Sequence, residues 1–140
     1  MTSVQETVEL LSRVPVFAPL KAEDLAVVAE ASHPRSFRPG EVVFREGDAS
    51  NTCYVVRSGH ARAVREHGDG RQIALATFGP GDIFGELAMF DDERRSATVE
   101  ATDDLETLAI RGPDMRRLML QRPELAVALA ILHELAGRTN

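Results

Sequence analysis

The sequence predicts a mainly β fold with flanking helices. The expected architecture is an antiparallel β roll, of the double-stranded β-helix or jelly-roll kind, with N-terminal helices and two C-terminal helices. Apolar residues recur at helical spacing near both ends of the 140-residue chain, whereas its middle consists of short segments rich in Val, Ile, Phe and Tyr. Glycines separate these segments, and regular strand-and-turn spacing of this kind is typical of antiparallel sandwiches and jelly rolls.

Residues 1–35 are predicted to form the N-terminal helical part. Residues 4–12 and 22–31 carry apolar side chains at helical spacing. Pro15 and Pro19 lie between them, and proline breaks a helix because it lacks the backbone N–H. Two short helices therefore precede the β region.

Residues 36–111 are predicted to form the β roll. Glycines flank its segments, and residues 67–71, with the sequence His-Gly-Asp-Gly-Arg, have the composition of a tight hairpin turn. The segments with strand character are Glu41–Arg45, Cys53–Arg57, Ala61–His67, Gln72–Phe78, Ser96–Ala101 and Leu105–Ile110.

Residues 112–140 are predicted to form the C-terminal helices. One helix begins near Gly112, and a second begins at Pro123, because proline is favoured in the first turn of a helix. The segment 125–135 is apolar nearly all round, so it must pack on the roll, on a second copy of the chain, or on both. A homodimer through this helix is therefore one expectation. Without a linker or an internal repeat, residues 1–140 are expected to form a single domain.

Composition and charge exclude several classes of protein. The formal net charge of −6 argues against direct nucleic-acid binding by this domain, because phosphate backbones require clustered Lys and Arg. The single cysteine, Cys53, rules out an internal disulfide and suits a reducing, cytoplasmic location. We expect no membrane segment, since no run approaches the roughly 20 apolar residues that span a bilayer.

Catalytic and metal-binding patterns are not expected in this chain. No His-x-His or Cys-x-x-Cys spacing occurs, so a metal enzyme on a jelly roll is poorly supported. Neither a Ser/His/Asp arrangement nor a pair of catalytic carboxylates can be argued. We therefore predict no enzyme activity and no cofactor.

Residues 84–101 carry the clearest functional pattern. Gly85 and Glu86 are followed by a short apolar turn, a charged tip, and then Arg95 and Ser96 before a strand-like segment. An arginine offers a fixed fork of donors to phosphate oxygens, and a glutamate accepts hydrogen bonds from sugar hydroxyls. Such a set suits a small ligand that has both an anion and a diol.

This stretch resembles the phosphate-binding cassette of cyclic nucleotide-binding domains, of the catabolite activator and fumarate-nitrate regulator type. Three landmarks carry the resemblance in order, at residues 38–48, 54–60 and 79–101. The first two are shared by the fold whether or not a member binds nucleotide, whereas the third is specific to members that bind. The resemblance covers the chain from about Leu11 to Asn140.

The resemblance implies a set of ligand-binding residues. Glu86 matches the glutamate that accepts the ribose 2′-hydroxyl, Arg95 matches the arginine that pairs with the cyclic phosphate, and the Ser96 hydroxyl can reach a phosphate oxygen. The backbone N–H groups expected to complete the anion site are those of Gly85, Leu87, Ala88 and Ala97.

The resemblance also implies a pocket for the purine. Ala63, Ala76 and Phe78 fall where strand residues line that pocket, and Thr139 lies close to the position of a base-contacting threonine on the last helix. A threonine directly after the cassette arginine tends to accompany cGMP use in this family. Because the residue here is Ser96, cAMP is favoured over cGMP.

The implied function is a cAMP-sensing regulatory module. Ligand binding would pull the turn 87–90 inward and reposition the C-terminal helix to control an effector domain, absent from this chain, or a partner, with transcription regulation as the expected output. The alternative is a roll that binds no nucleotide and acts as a structural dimerisation module. On this view Arg95→Lys should weaken cAMP binding by an order of magnitude or more and hardly change the melting temperature of the free protein.

Overall fold

The chain folds as a β roll between two groups of helices, and the predicted fold class is confirmed. A computed structural model describes residues 4–86 and 94–139, with side chains as far as residue 132. Helix α1 (Val4–Ser12), a 3-10 turn (Pro15–Phe17) and α2 (Ala22–Ala31) precede the roll, and α3 (Gly112–Gln121) and α4 (Pro123–Thr139) follow it. Among the described residues, no helix is both long and apolar enough to cross a bilayer.

In the part of the chain that the structure describes, the roll has eight strands in two antiparallel sheets. The first sheet has the order β1-β8-β3-β6 and the second the order β2-β7-β4-β5. The strands are β1 (Ser32–Phe37), β2 (Val42–Phe44), β3 (Cys53–Ser58), β4 (Ala61–Glu66), β5 (Gln72–Phe78), β6 (Ile83–Phe84), β7 (Thr98–Ala101) and β8 (Leu105–Ile110).

Strand β1 corrects the predicted boundary between helix and roll. The predicted helical part extends to residue 35, but the strand begins at Ser32, directly after α2. It pairs with β8 along its whole length, from Ser32 opposite Ile110 to Phe37 opposite Leu105. Pro34 is tolerated because β1 is an edge strand, where a missing N–H need not break the ladder.

The middle of the first sheet, formed by β3 and β8, is buried on both faces, and this explains the apolar sequence of these two strands. In β3, Cys53 and Val55 pack toward the helices, whereas Tyr54 and Val56 pack into the roll. Alternate residues of a strand point to opposite faces, so a strand with two buried faces is apolar at consecutive positions. The sheet therefore separates two cores, one against the helices and one between the sheets.

Candidate functional site

Arg95 is the centre of the candidate site. It lies between β6 and β7 and is only 5% exposed. Its Nε donates to the Ser50 hydroxyl at 2.9 Å, Nη1 to the Gly85 carbonyl at 2.8 Å, and Nη2 to the Thr52 carbonyl at 2.5 Å. These three acceptors are neutral oxygens, and they use three of the five guanidinium N–H donors. The contacts fix the orientation of the guanidinium without neutralising its charge.

The environment of Arg95 disfavours its charge. Burial lowers the pKa of Arg95 from its ordinary value, and the neighbouring Tyr54, Cys53 and Glu86 act in the opposite direction. A guanidinium nevertheless stays protonated in proteins. Its carbon lies 3.9 Å from the centroid of the Phe44 ring, close enough for a cation–π contact. The site therefore holds a desolvated cation.

The loop between β2 and β3 fixes the backbone of the Arg95 segment. The Gly47 N–H donates to the Arg95 carbonyl at 2.8 Å, and the Arg95 N–H donates to the Asp48 carbonyl at 2.9 Å. Arg94 adds a third bond, from Nη1 to the Gly47 carbonyl at 2.9 Å. Both the backbone and the side chain of Arg95 are thus positioned by residues 47–52.

Gly85 is required by its conformation and by its neighbours. Its φ of +80° lies in the left-handed region, which residues with a Cβ rarely adopt. A Cβ atom here would lie 2.9 Å from Arg95 Nη1 and 3.1 Å from the Thr52 carbonyl oxygen. Glycine therefore leaves the space that the guanidinium occupies.

Glu86 brings a buried carboxylate close to the same cation. Glu86 is 6% exposed, and its negative charge acts to raise the pKa of both Arg95 and Cys53. The pKa of the Cys53 thiol rises to about 12, chiefly because of burial and secondly because of Glu86. The structure therefore brings together Gly85, Glu86 and Arg95 of the predicted set.

The remaining cassette residues differ in their exposure. Ser96 is exposed, whereas Ala97 is buried in the core between the two sheets. Leu87 and Ala88, together with the turn 87–90, lie outside the described residues. Their expected role in the anion site stays a prediction.

The predicted purine-lining residues share one face of the second sheet. Ala63 on β4 lies directly opposite Ala76 on β5, and the neighbouring pair is Ala61 with Phe78. Ala63 is buried and Ala76 exposed, while Phe78 packs against the core of the roll. Thr139 ends α4, and its side chain is outside the described set.

A row of aromatic rings connects these strand residues to Arg95. Phe78 stacks on Phe84 with ring centroids 5.0 Å apart, and Phe84 lies 6.1 Å from Phe44. Phe44 in turn lies under the Arg95 guanidinium. The polar and apolar parts of the candidate site are therefore continuous.

Sequence reasoning missed four residues that build this site. Phe44, Ser50 and Thr52 contact Arg95 directly, and Leu75, at a bulge in β5, packs against the same core as Phe78. Ser50 lies 45 positions from Arg95 in the chain, so no local motif identifies it.

The chemistry of these residues is suited to binding a small anion. A buried cation can recognise an anion, a carboxylate can accept hydrogen bonds from hydroxyl groups, and an apolar strand face can contact a flat ring. Among residues 4–86 and 94–139, no cluster of three metal-ligating side chains occurs.

Comparisons with known proteins identify the family. Residues 34–122 match the family model described as "Cyclic nucleotide-binding domain", and the chain belongs to that family. It is 35% identical over 118 residues to a protein of Thermus thermophilus named "Cyclic AMP receptor protein", covering 84% of this chain and 55% of that protein.

Solved structures show the same fold. The N-terminal domain of a transcriptional regulator from Streptomyces coelicolor matches with a TM-score of 0.74 at 36% identity, covering 92% of this chain and 89% of that one. The regulatory domain of Toxoplasma gondii PKA, crystallised with cAMP, matches with a TM-score of 0.85 at 25% identity, covering 96% and 50%. The chain spans little more than half the length of the first curated relatives it matches.

Proposed function

We propose that this domain is a sensor of cyclic nucleotides, with cAMP as its ligand. The observation that carries the proposal is the burial of Arg95 against neutral acceptors beside Glu86. Desolvating a guanidinium is costly unless an anion or a strong set of hydrogen bonds compensates. In a family defined by cyclic nucleotide binding, the cyclic phosphate is the anion that this site fits.

Each part of the ligand has an assigned partner in the proposal. The two remaining N–H donors of Arg95 and the Ser96 hydroxyl face the cyclic phosphate, and Glu86 accepts a hydrogen bond from the ribose. Ala63, Ala76 and Phe78 contact the purine. A deoxyribose ligand would leave the buried Glu86 carboxylate without that donor, so it should bind more weakly.

The route from the site to the C-terminal helices begins in the loop that holds Arg95. Between Ser50 and Thr52, Asn51 lies so close to Gly112 at the start of α3 that a Cβ there would be 2.6 Å from the Asn51 Cγ. A shift of this loop on ligand binding would therefore move α3 and, through it, α4. Ligand binds one arrangement more tightly and increases its population.

The proposed output is control of an effector or partner through α4, with transcription regulation as the expected process. The relatives named as a cAMP receptor protein and a transcriptional regulator support this output. Regulation by ligand binding, rather than catalysis, is the proposed role of the domain.

Calorimetry with cAMP, cGMP and AMP tests the proposal. We expect saturable binding of cAMP, weaker binding of cGMP, and no measurable binding of AMP, whose dianionic monoester does not match the cyclic diester. Absence of binding by either cyclic nucleotide would contradict the proposed function.

One observation favours the alternative of a structural dimerisation module. Val127 and Ile131 lie one helical turn apart on α4 and are 58% and 54% exposed. Large apolar side chains at this spacing form an unpartnered helix stripe. Light scattering of the chain and of Val127→Glu, each with and without cAMP, would show whether the stripe forms a dimer and whether the ligand affects it.

A further inference from the structure

Strand β4 carries two arginines whose partners differ. Arg62 lies opposite Glu100 of β7, and its Nε is 2.6 Å from the Glu100 carboxylate. Arg65 lies opposite the uncharged Ile73 of β5. Its Nε and Nη2 both donate to the backbone carbonyl of Ser96, at 3.1 and 3.0 Å. One arginine therefore has a carboxylate partner, and the other is held by a neutral oxygen.

The two arginines also lie on opposite faces of the sheet. Ala63 packs in the core between the sheets, so its neighbour Arg62 points to the outer face. Arg65 is two positions beyond Ala63 and shares its face. The carbonyl that Arg65 contacts belongs to Ser96, the residue directly after Arg95. Arg65 thus approaches the anion site from the side of the strands that are proposed to contact the purine.

We infer that Arg65 is a second cationic ligand-binding residue, which faces the phosphate of the bound nucleotide beside Arg95. This inference rests on the proposed function. Two of its five N–H donors hold the Ser96 carbonyl, which leaves three for a phosphate oxygen or a bridging water. The same contact fixes the backbone from which the Ser96 hydroxyl and the Ala97 N–H would reach the phosphate.

The charge of the whole chain gives Arg65 a further effect on binding. A domain with a net charge of −6 repels an anionic ligand at long range. An exposed guanidinium at the entrance of the site offsets that repulsion locally, and salt weakens its effect because exposed charges are screened. Arg95 is buried and is screened much less. Loss of Arg65 should therefore alter the salt dependence of binding.

The test compares Arg65→Gln with Arg62→Gln. Both remove one positive charge from β4, but only the first faces the site. We expect Arg65→Gln to raise the Kd for cAMP about three- to tenfold at low salt, and less at 0.5 M salt, because the lost charge is exposed. Arg62→Gln should stay within about twofold of the parent. Arg65→Lys keeps the charge without the fork and should keep the salt dependence of the parent.

The outcomes separate this inference from the proposed function. If the parent chain does not bind cAMP, the proposed function fails and the inference fails with it. Parent binding with an unchanged Kd in Arg65→Gln would overturn the inference alone. A loss in Arg65→Gln that is equal at all salt concentrations and is accompanied by a lower melting temperature would also overturn it, because it would show that Arg65 acts only by holding the Ser96 backbone.

Discussion

Hydrogen bonds hold the side chains of both Arg95 and Arg122, but the two guanidinium groups differ in their exposure and in the charge of their acceptors. Arg122 joins α3 to α4, is 42% exposed, and places its Nε 2.7 Å from the Asp24 carboxylate on α2. Hydrogen bonding to Asp24 raises the pKa of Arg122. Arg95 is buried among two carbonyls, a hydroxyl and an aromatic ring, and burial lowers its pKa.

Arg122 thus joins elements of the fold, whereas Arg95 is the arginine that we propose binds the ligand. The Asp24–Arg122 pair links the N-terminal helices to the junction of the C-terminal helices, and within it each charge has a partner of opposite sign. The hydrogen bonds of Arg95 fix its geometry while its buried charge is retained. Preorganised donors of this kind favour an incoming anion, because the orientation is already fixed before binding.

The largest expected effect is on ligand binding by Arg95→Lys. Lysine cannot form the fork or span the three acceptors, so we expect the Kd for cAMP to rise at least about 100-fold, as for loss of one partner of a buried charge pair. The sequence-based expectation of an unchanged melting temperature is revised. The Gly85 and Thr52 carbonyls lose their donor, so the free energy of unfolding of the free protein should fall by about 1–3 kcal/mol.

Calorimetry and thermal melting of the same preparation check both parts of this prediction. Arg71→Lys is a suitable control, because Arg71 is an exposed arginine of the β4–β5 turn, paired with Asp69. An unchanged Kd in Arg95→Lys would remove Arg95 from the site.

A smaller effect is expected from Gly85→Ala. The new Cβ would be strained at a φ of +80° and would lie 2.9 Å from Arg95 Nη1. We expect cAMP to bind at least about tenfold more weakly, an effect of roughly 1.4 kcal/mol, together with a lower melting temperature.

Gly40→Ala is the control for Gly85→Ala, because it introduces backbone strain without displacing the Arg95 guanidinium. Gly40 has a φ of +84°, but a Cβ there would meet nothing within 4 Å. Its variant should lower stability by about 1–2 kcal/mol through the left-handed conformation alone and leave the Kd near that of the parent. Equal losses of affinity in the two variants would contradict a specific role for Gly85.

Ser50→Ala should have a moderate effect on affinity. It removes the acceptor for Arg95 Nε and leaves the other two bonds in place. We expect the Kd for cAMP to rise about three- to tenfold, equivalent to roughly 0.7–1.4 kcal/mol, and Ser50→Thr to restore it. If Ser50→Thr does not restore binding although its melting temperature is unchanged, the proposed role of the hydroxyl in holding Arg95 is contradicted.

The smallest expected effect concerns stability in acid. Arg122 lowers the pKa of Asp24, so the ion pair stabilises the fold above the ordinary carboxyl pKa of 3.8 and loses this effect as the pH falls through the lower folded-state value. At pH 7, Asp24→Asn should melt about 2–4 °C below the parent. The difference should shrink below pH 4. If the melting temperatures of the parent and of Asp24→Asn differ by the same amount at every pH from 2 to 7, the stabilising role of the Asp24–Arg122 ion pair is contradicted.

The fold was largely predictable because a local sequence pattern identifies most of its helices and strands. Segments rich in Val, Ile, Phe and Tyr gave bounds within two residues for the six predicted strands, and helical spacing did so for α1 and α2. Gly112 and Pro123 gave the starts of α3 and α4. Strand β1 was missed because five of its six residues lie outside the core and its sequence contains Pro34. Its conformation depends on pairing with β8, some 70 residues away, which a local pattern does not record.

The site was predictable only in part, for a similar physical reason. The cassette motif identified Gly85, Glu86 and Arg95, which the structure brings together. It did not identify Ser50 or Thr52, which reach Arg95 across 45 and 43 positions of sequence. The burial of Arg95 and the neutrality of its acceptors follow from the packing of the β2–β3 loop, and only the folded chain displays them.

The proposal that Arg95, unlike Arg122, binds the ligand is tested most directly by the shift in melting temperature that cAMP causes in the parent, Arg95→Lys and Arg122→Lys. A ligand that binds only the folded state stabilises it by RT ln(1 + [L]/Kd), so at one ligand concentration tighter binding gives a larger rise in melting temperature. We predict a clear rise for the parent and for Arg122→Lys, whose starting value is lower, and no rise for Arg95→Lys. A rise in Arg95→Lys equal to that of the parent would contradict the claim that Arg95 is the anion-binding residue.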